Sequence, residues 1–258
     1  ISRKHEATAA MAFFSNPDVV TIDPVSEDND NQIVSAGITK ELLQYRLTKS
    51  IKWFLTVLGA FQDTINVGIC ASFNYWDYQT RKKMVKKDAQ IMGTTVQMEF
   101  EEDVPIVDKP CCELIPISNI RFDPAAKWYD VVGSSPYLIV QLPMYLRDIL
   151  DRMERGYGKD EQKWKRIDEK VLLSARITEN DPIQQARDGR KEDPKTVTST
   201  VNEFDVVMVH LNFIKTEDGC FTYYTLKDTH MLSEPQALEE AFLHGEIPVT
   251  IGFCIIET

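Results

Sequence analysis

Four histidines, five cysteines and one dense basic run are the residues of this chain whose types could do chemistry. The histidines (His5, His210, His230, His244) are scattered. His210 falls on the polar side of a strand-like run and His230 in the loop beyond it. The two could approach and hold a metal, or one could activate Cys220, but ordinary hydrogen-bonded histidines are the favoured reading. Cys70, Cys111, Cys112, Cys220 and Cys254 contain no CxxC pair and lie mostly in or beside apolar runs. That pattern fits reduced, buried thiols in a reducing compartment better than zinc ligands or disulfides. GxGxxG, GxxxxGK[ST], GxSxG and HExxH are all missing. The chain therefore carries no catalytic residue, metal or cofactor that its sequence can point to. A nuclease assembled from distant Asp, Glu and His around a divalent cation is the enzymatic alternative.

The basic run is Arg81, Lys82, Lys83, Lys86 and Lys87. It could touch DNA phosphates. No aromatic residue interleaves to stack bases, so a solvated hairpin tip or a contact with a neighbouring subunit is favoured. Glu101-Glu102-Asp103 could pair with this run or bind a cation, although plain surface is the simpler reading. Across all 258 residues, 29 Lys and Arg stand against 40 Asp and Glu, a net charge of −11. Such an acidic chain does not coat nucleic acid, though it can surround DNA that must slide without sticking.

The elements that would position these groups are mixed. A helix is expected over 3–15, ending before Asn16-Pro17, then a short strand Val19–Ile22 and a polar loop over 26–32. Leu43, Leu47, Ile51, Phe54, Leu58, Phe61 and Ile65 recur at steps of four and three, which predicts one helix of about seven turns from Thr39 to Ile65. Thr39 would be its N-cap, and its stripe would face the core. Strands are expected over Val67–Trp76, Thr94–Phe100 and 111–122. A helix opening at Pro143 would carry Leu146, Ile149, Leu150 and Met153 on its apolar face and close at Gly156. A second helix, Asp160–Ala175, would bury Trp164, Ile167 and Val171. Residues 178–200 read as a polar linker. Phe204–Ile214 and Cys220–Leu226 flank a hairpin turn with Asp218-Gly219, and Val207, Val209, Leu211 and Phe213 alternate along its first strand. A short helix Pro235–Leu243 and a strand Val249–Ile256 end the chain. The expected division is an α+β region 1–177, the linker 178–200 and a β-rich segment 201–258. No apolar run approaches the ~20 residues of a membrane span. The chain opens on Ile1-Ser2-Arg3 and stops just after an apolar run, which reads as an ordered piece of a longer polypeptide.

The most distinctive stretch is 115–150, with Asn119-Ile120-Arg121-Phe122-Asp123-Pro124-Ala125-Ala126, the aromatic pair Trp128-Tyr129 and the turn Ser134-Ser135-Pro136. It resembles the corresponding segment of tailed-bacteriophage portal proteins, the head-to-tail connectors of podovirus-like phages. Further segments resemble that family in the same order. They are Phe14–Val20 with Asp23-Pro24, the long helix running into Gly68-Ile69-Cys70, Asn74–Tyr78, Val107–Pro110, Tyr223–Leu226 and Pro248–Gly252. The likeness spans nearly the whole chain and rests on order, since no piece is as specific as a Walker loop. It implies an α+β wing region of a portal, with Asn119, Asp123, Pro124, Ala125 and Trp128 as a structural segment. It implies a homo-oligomeric ring, usually of twelve subunits, at one capsid vertex. Double-stranded DNA would pass through that ring, with terminase, capsid protein and tail or adaptor proteins as partners. The location would be the virion, and the host cytoplasm during assembly. Such a protein hydrolyses nothing itself. A head–tail adaptor or minor virion protein is the nearer alternative, and a metal-dependent nuclease the more distant one.

Overall fold

The computed structural model describes residues 2–15, 19–26, 29–91, 94–156, 163–168, 171–172, 175, 204–226, 230–242 and 244–254. The fold is a mixed α+β one with two compact units. One comprises 1–115 together with 248–258, the other 116–247. The expected linker 178–200 lies outside the described residues. The cuts fall instead at 115/116 and 247/248, because strand pairing bridges the linker and the last strand returns to the first.

In the discontinuous unit, helices α1 (Ser2–Phe14), α2 (Asp30–Tyr45) and α3 (Trp53–Val67) precede strands β1 (Ile69–Ile91) and β2 (Thr94–Leu114). The strand β9 (Val249–Phe253) completes an antiparallel sheet in the order β2-β1-β9. Because β9 pairs only with Ile69–Phe73, the rest of β1 forms a two-stranded ribbon with β2. At ~3.4 Å per residue this ribbon is about 60 Å long. Both strands run well beyond the expected Val67–Trp76 and Thr94–Phe100. Val19–Ile22 joins no sheet.

The single helix expected over 39–65 is two. Asn29, not Thr39, caps α2, its side chain accepting from the Asn31 N–H at 3.1 Å. Thr39 lies inside α2, its hydroxyl donating to the Ser35 carbonyl. A π-helical turn follows over Arg46–Ser50. Lys52 then takes a left-handed conformation (φ 53°), the only described non-glycine residue with positive φ. That conformation costs about 1–2 kcal/mol for a residue with a Cβ. The stripe is not a core face either, since no residue of α2 or α3 is buried. Phe14 of α1 instead packs on Phe54 (4.7 Å between ring centroids) and Phe13 on Phe61 (6.4 Å). Gly59 lets α3 approach β2: a Cβ there would stand 2.6 Å from Leu114 Cδ1.

The second unit is a six-stranded antiparallel sheet, β3-β4-β5-β6-β7 with β8 also on β6. Its strands are β3 (Ile120–Phe122), β4 (Tyr137–Tyr145), β5 (Val206–Thr216), β6 (Gly219–Leu226), β7 (His230–Met231) and β8 (Gln236–Ala237). Helices α4 (Val131–Ser134), α5 (Leu146–Glu154) and α6 (Leu238–Ala241) accompany them. The predicted alternation holds: Val207, Val209, Leu211 and Phe213 are all buried. Val207 and Val209 share one core cluster with Leu146, Ile149 and Met153 of α5, which fall on the expected face, and with Leu226 and Leu232, whereas Leu150 of that expected face stands exposed. Burying each such side chain favours folding by about 1.5–3 kcal/mol. Glu217-Asp218 forms the hairpin turn, with the positive φ on Gly219 (135°).

Other expectations shift. Pro143 lies in β4 opposite Met208, not in a helix. β3 pairs only with Leu138–Val140, so the missing Pro143 N–H faces an unpaired side of the strand. Trp164 is buried as expected, but Lys163–Asp168 has no regular structure. Trp164 packs on Tyr224 (5.1 Å), with the Arg152 guanidinium 4.9 Å from its ring. The segment 111–122 is split by a 3-10 turn, Ile117–Asn119, and among the described residues of the expected 235–243 helix only Leu238–Ala241 are helical. β9 ends at Phe253, and 255–258 lie outside the described residues.

Candidate functional site

The basic run is not a hairpin tip. It lies within the ribbon, where the register sets Lys82 opposite Asp103, Lys83 opposite Glu102 and Lys86 opposite Glu99. Arg81 pairs with Val104 and Lys87 with Met98. Arg81, Lys82, Lys83 and Lys86 are exposed. Directly opposed unlike charges in an antiparallel pair attract; two members of the acidic triplet thus fall opposite lysines of the run, while Glu101 falls opposite Met84.

Nearer its base the ribbon carries exposed aromatic residues, Trp76 and Tyr78. The Trp76 Nε1–H donates to Asp108 at 2.7 Å, and Arg46 lies 5.8 Å from the Trp76 ring centre. Gln79 pairs with Val107 and Thr80 with Pro105, so Ile106 is bulged and stands exposed. A hollow of about 530 Å³ lies between the start of α3 and the end of β2. Lys52, Leu55, Lys109, Cys111 and Glu113 are among its walls. The Tyr75 hydroxyl donates to Glu113 Oε1 at 2.9 Å. Burial and that carboxylate push the Tyr75 phenol well above its ordinary range. Burial also raises the thiols of Cys111, Cys112 and Cys220, which makes them poor nucleophiles.

The segment 119–135 is a closed hydrogen-bond network. Asn119, half-buried, ends the 3-10 turn, its N–H donating to the Pro116 carbonyl at 2.8 Å. Asp123 Oδ1 accepts from the Ala125 N–H at 2.8 Å, an Asx turn through Pro124. The Asp123 N–H donates to the buried Ser135 hydroxyl (3.1 Å), and the Lys127 N–H to Ser134 Oγ (2.8 Å). Asp130 caps α4, accepting from the Gly133 N–H at 2.9 Å. Lys215 Nζ crosses from β5 to the carbonyls of Val132 and Gly133, at 2.6 Å each. This scaffold presents Trp128 and Tyr129 outward, 56% and 67% exposed and edge-to-face at 5.7 Å. The roles of Asp130, Gly133 and Lys215 escape a reading of residue types. An Asp three before a Gly was the one visible cue, and Lys215 lies some eighty residues away.

His210 lies opposite Thr225 and His230 opposite Leu226, so the two flank β6 from β5 and β7 at adjacent positions. His210 pairs across the ladder with Thr225 and Cys220 with Lys215, about 17 Å apart along β6, so they form no thiol–imidazole pair. His244 stacks on Phe242, and its Nδ1 accepts from the Glu246 N–H. Among the described residues no group of His, Cys, Asp and Glu is placed to hold a metal ion. Nor is any described helix long and apolar enough to cross a membrane. No protein-family model matches the chain, and no curated protein is significantly similar to it.

Proposed function

We propose that this chain is a subunit of a tailed-phage portal, part of the ring through which double-stranded DNA enters and leaves the capsid. The observation that carries the proposal is the ordered resemblance centred on Asn119–Trp128. In this reading the described residues belong to the wing, and the ring is a structural channel with no turnover of its own. Terminase docks on it during packaging, capsid protein surrounds it and tail or adaptor proteins follow. The net charge of −11 suits a wall past which phosphate must slide. Ring neighbours would also give the ribbon what it lacks alone, since a two-stranded ribbon is marginal in water. A closed ring uses two different complementary faces per subunit. Exposed Trp76, Trp128 and Tyr129 are residue types that carry such contacts.

The test is native mass measurement and particle imaging of the full-length protein. A closed ring of about a dozen subunits, with a central hole wide enough for duplex DNA, is the expected result. A stable monomer or dimer under all conditions would overturn the proposal. A ring of different symmetry without such a hole would favour the adaptor reading.

A further inference from the structure

No helix-breaking residue stands at the break between α2 and α3. Arg46-Leu47-Thr48-Lys49-Ser50-Ile51-Lys52 contains neither Gly nor Pro, the residues that stop helices. The apolar spacing Leu43, Leu47, Ile51, Phe54, Leu58 passes through it without a skipped step. Yet the backbone leaves the α-helix twice within these residues. It widens into a π-turn over Arg46–Ser50, and it reverses hand at Lys52. Lys is a poor occupant of that conformation, which Gly or Asn takes far more readily. Thr48 adds to the local distortion. Its hydroxyl reaches back to the carbonyls of Gln44 (2.8 Å) and Tyr45 (3.2 Å), a pattern that bends helices.

A place where the local preference and the adopted backbone disagree is where a second arrangement lies close in free energy. We propose that 46–52 is a two-state joint. In the state described here the chain bends at Lys52. In the other state Arg46–Lys52 is α-helical, and α2 and α3 join into one helix from Asp30 to Val67, about 57 Å long. Straightening removes the left-handed residue and the π-turn, and it continues the row of Leu43 and Leu47 into that of Phe54, Leu58 and Phe61. Bending keeps Ile51, Lys52 and Leu55 around the hollow beside Cys111 and Glu113. The proposal does not depend on the portal reading, because both states are properties of one subunit.

Hydrogen exchange over 46–56 in the full chain tests this, with two variants that push the joint in opposite directions. Thr48→Ala/Ser50→Ala/Lys52→Ala raises helix propensity and removes the Thr48 back-bond. It is expected to slow exchange there by about fivefold or more and to increase far-ultraviolet helicity. Lys52→Gly favours the bent backbone and is expected to speed exchange over 46–56. A joint fixed in the bend gives the opposite pattern. Exchange in the triple-alanine variant would then match the parent, and glycine, by relieving Lys52, would slow it. Either of those results overturns the proposal, and Lys52→Gly alone decides it if the triple variant does not fold.

Discussion

Asp130 and Gly133 illustrate how one hydrogen bond can set two residue types. The Asp130 carboxylate lies against the Gly133 N–H, and a Cβ on Gly133 would fall 2.2 Å from Asp130 Oδ2. The carboxylate is exposed and free to rotate away, so Gly133→Ala would not wreck the backbone. It would displace the cap. Loss of an N-cap costs about 1 kcal/mol, and Asp130→Ala loses the same bond by the other route. Each single variant is therefore expected to destabilise by about 1 kcal/mol. The double variant should cost no more than either alone, because both act on one interaction. Chemical denaturation of the four proteins checks this. Additive losses would mean that Gly133 is required for some reason other than the cap.

At the scale of elements, the ribbon decides what the basic run can do. Neutralising it with Arg81→Gln/Lys82→Gln/Lys83→Gln removes three charges, two of which face Asp103 and Glu102 across the ladder. A phosphate site of three cations would lose its salt dependence by a slope of about 2–3 on this change. The expected result is instead an affinity for duplex DNA changed by less than about twofold at physiological salt, where most surface charge is screened. Fluorescence anisotropy across a salt series measures it, and a tenfold loss with a shallower slope would restore the phosphate reading. Strand periodicity made β5, β6 and the buried face of α5 legible in advance, because apolar residues at steps of two, or of three and four, leave little freedom of register. The ribbon was legible only in part. Val96, Met98 and Phe100 alternate and mark the start of β2, but β1 beyond Trp76 is rich in Lys with no such alternation, and only pairing over a long register holds it extended. The helix break was hidden for the converse reason: its residues carry an unbroken helical spacing with neither Gly nor Pro. At the candidate site the Ser-rich turn and Asp123-Pro124 could be seen in sequence, but not the crossing from Lys215, which depends on the β4–β5 pairing.

Over the whole molecule the core is unevenly shared. Of the buried apolar residues described, only Ala71, Ile115 and Val249 belong to the discontinuous unit; the rest, from Ile120 to Leu238, belong to 116–247. Hydrophobic burial is the main favourable term in folding, and among the described residues most of it lies in 116–247. The unit holding Phe213, Leu211 and Ile149, each at most 1% exposed, should open only with global unfolding. The ribbon of the other unit has exposed Met84, Phe100, Val104 and Ile106, so its amides should exchange by local opening. In a monomeric preparation, exchange across 74–86 is therefore expected to run at least about a hundredfold faster than across β5, a difference of ~2.7 kcal/mol in opening free energy. If the portal proposal holds, assembly into the ring covers the ribbon and removes most of that difference, while β5 changes little. Hydrogen-exchange mass spectrometry on monomer and assembled particle measures both quantities. Equal protection of ribbon and β5 in the monomer would mean that the ribbon is stable without partners. An unequal monomer whose ribbon stays fast after assembly would place the ring contacts elsewhere on the subunit.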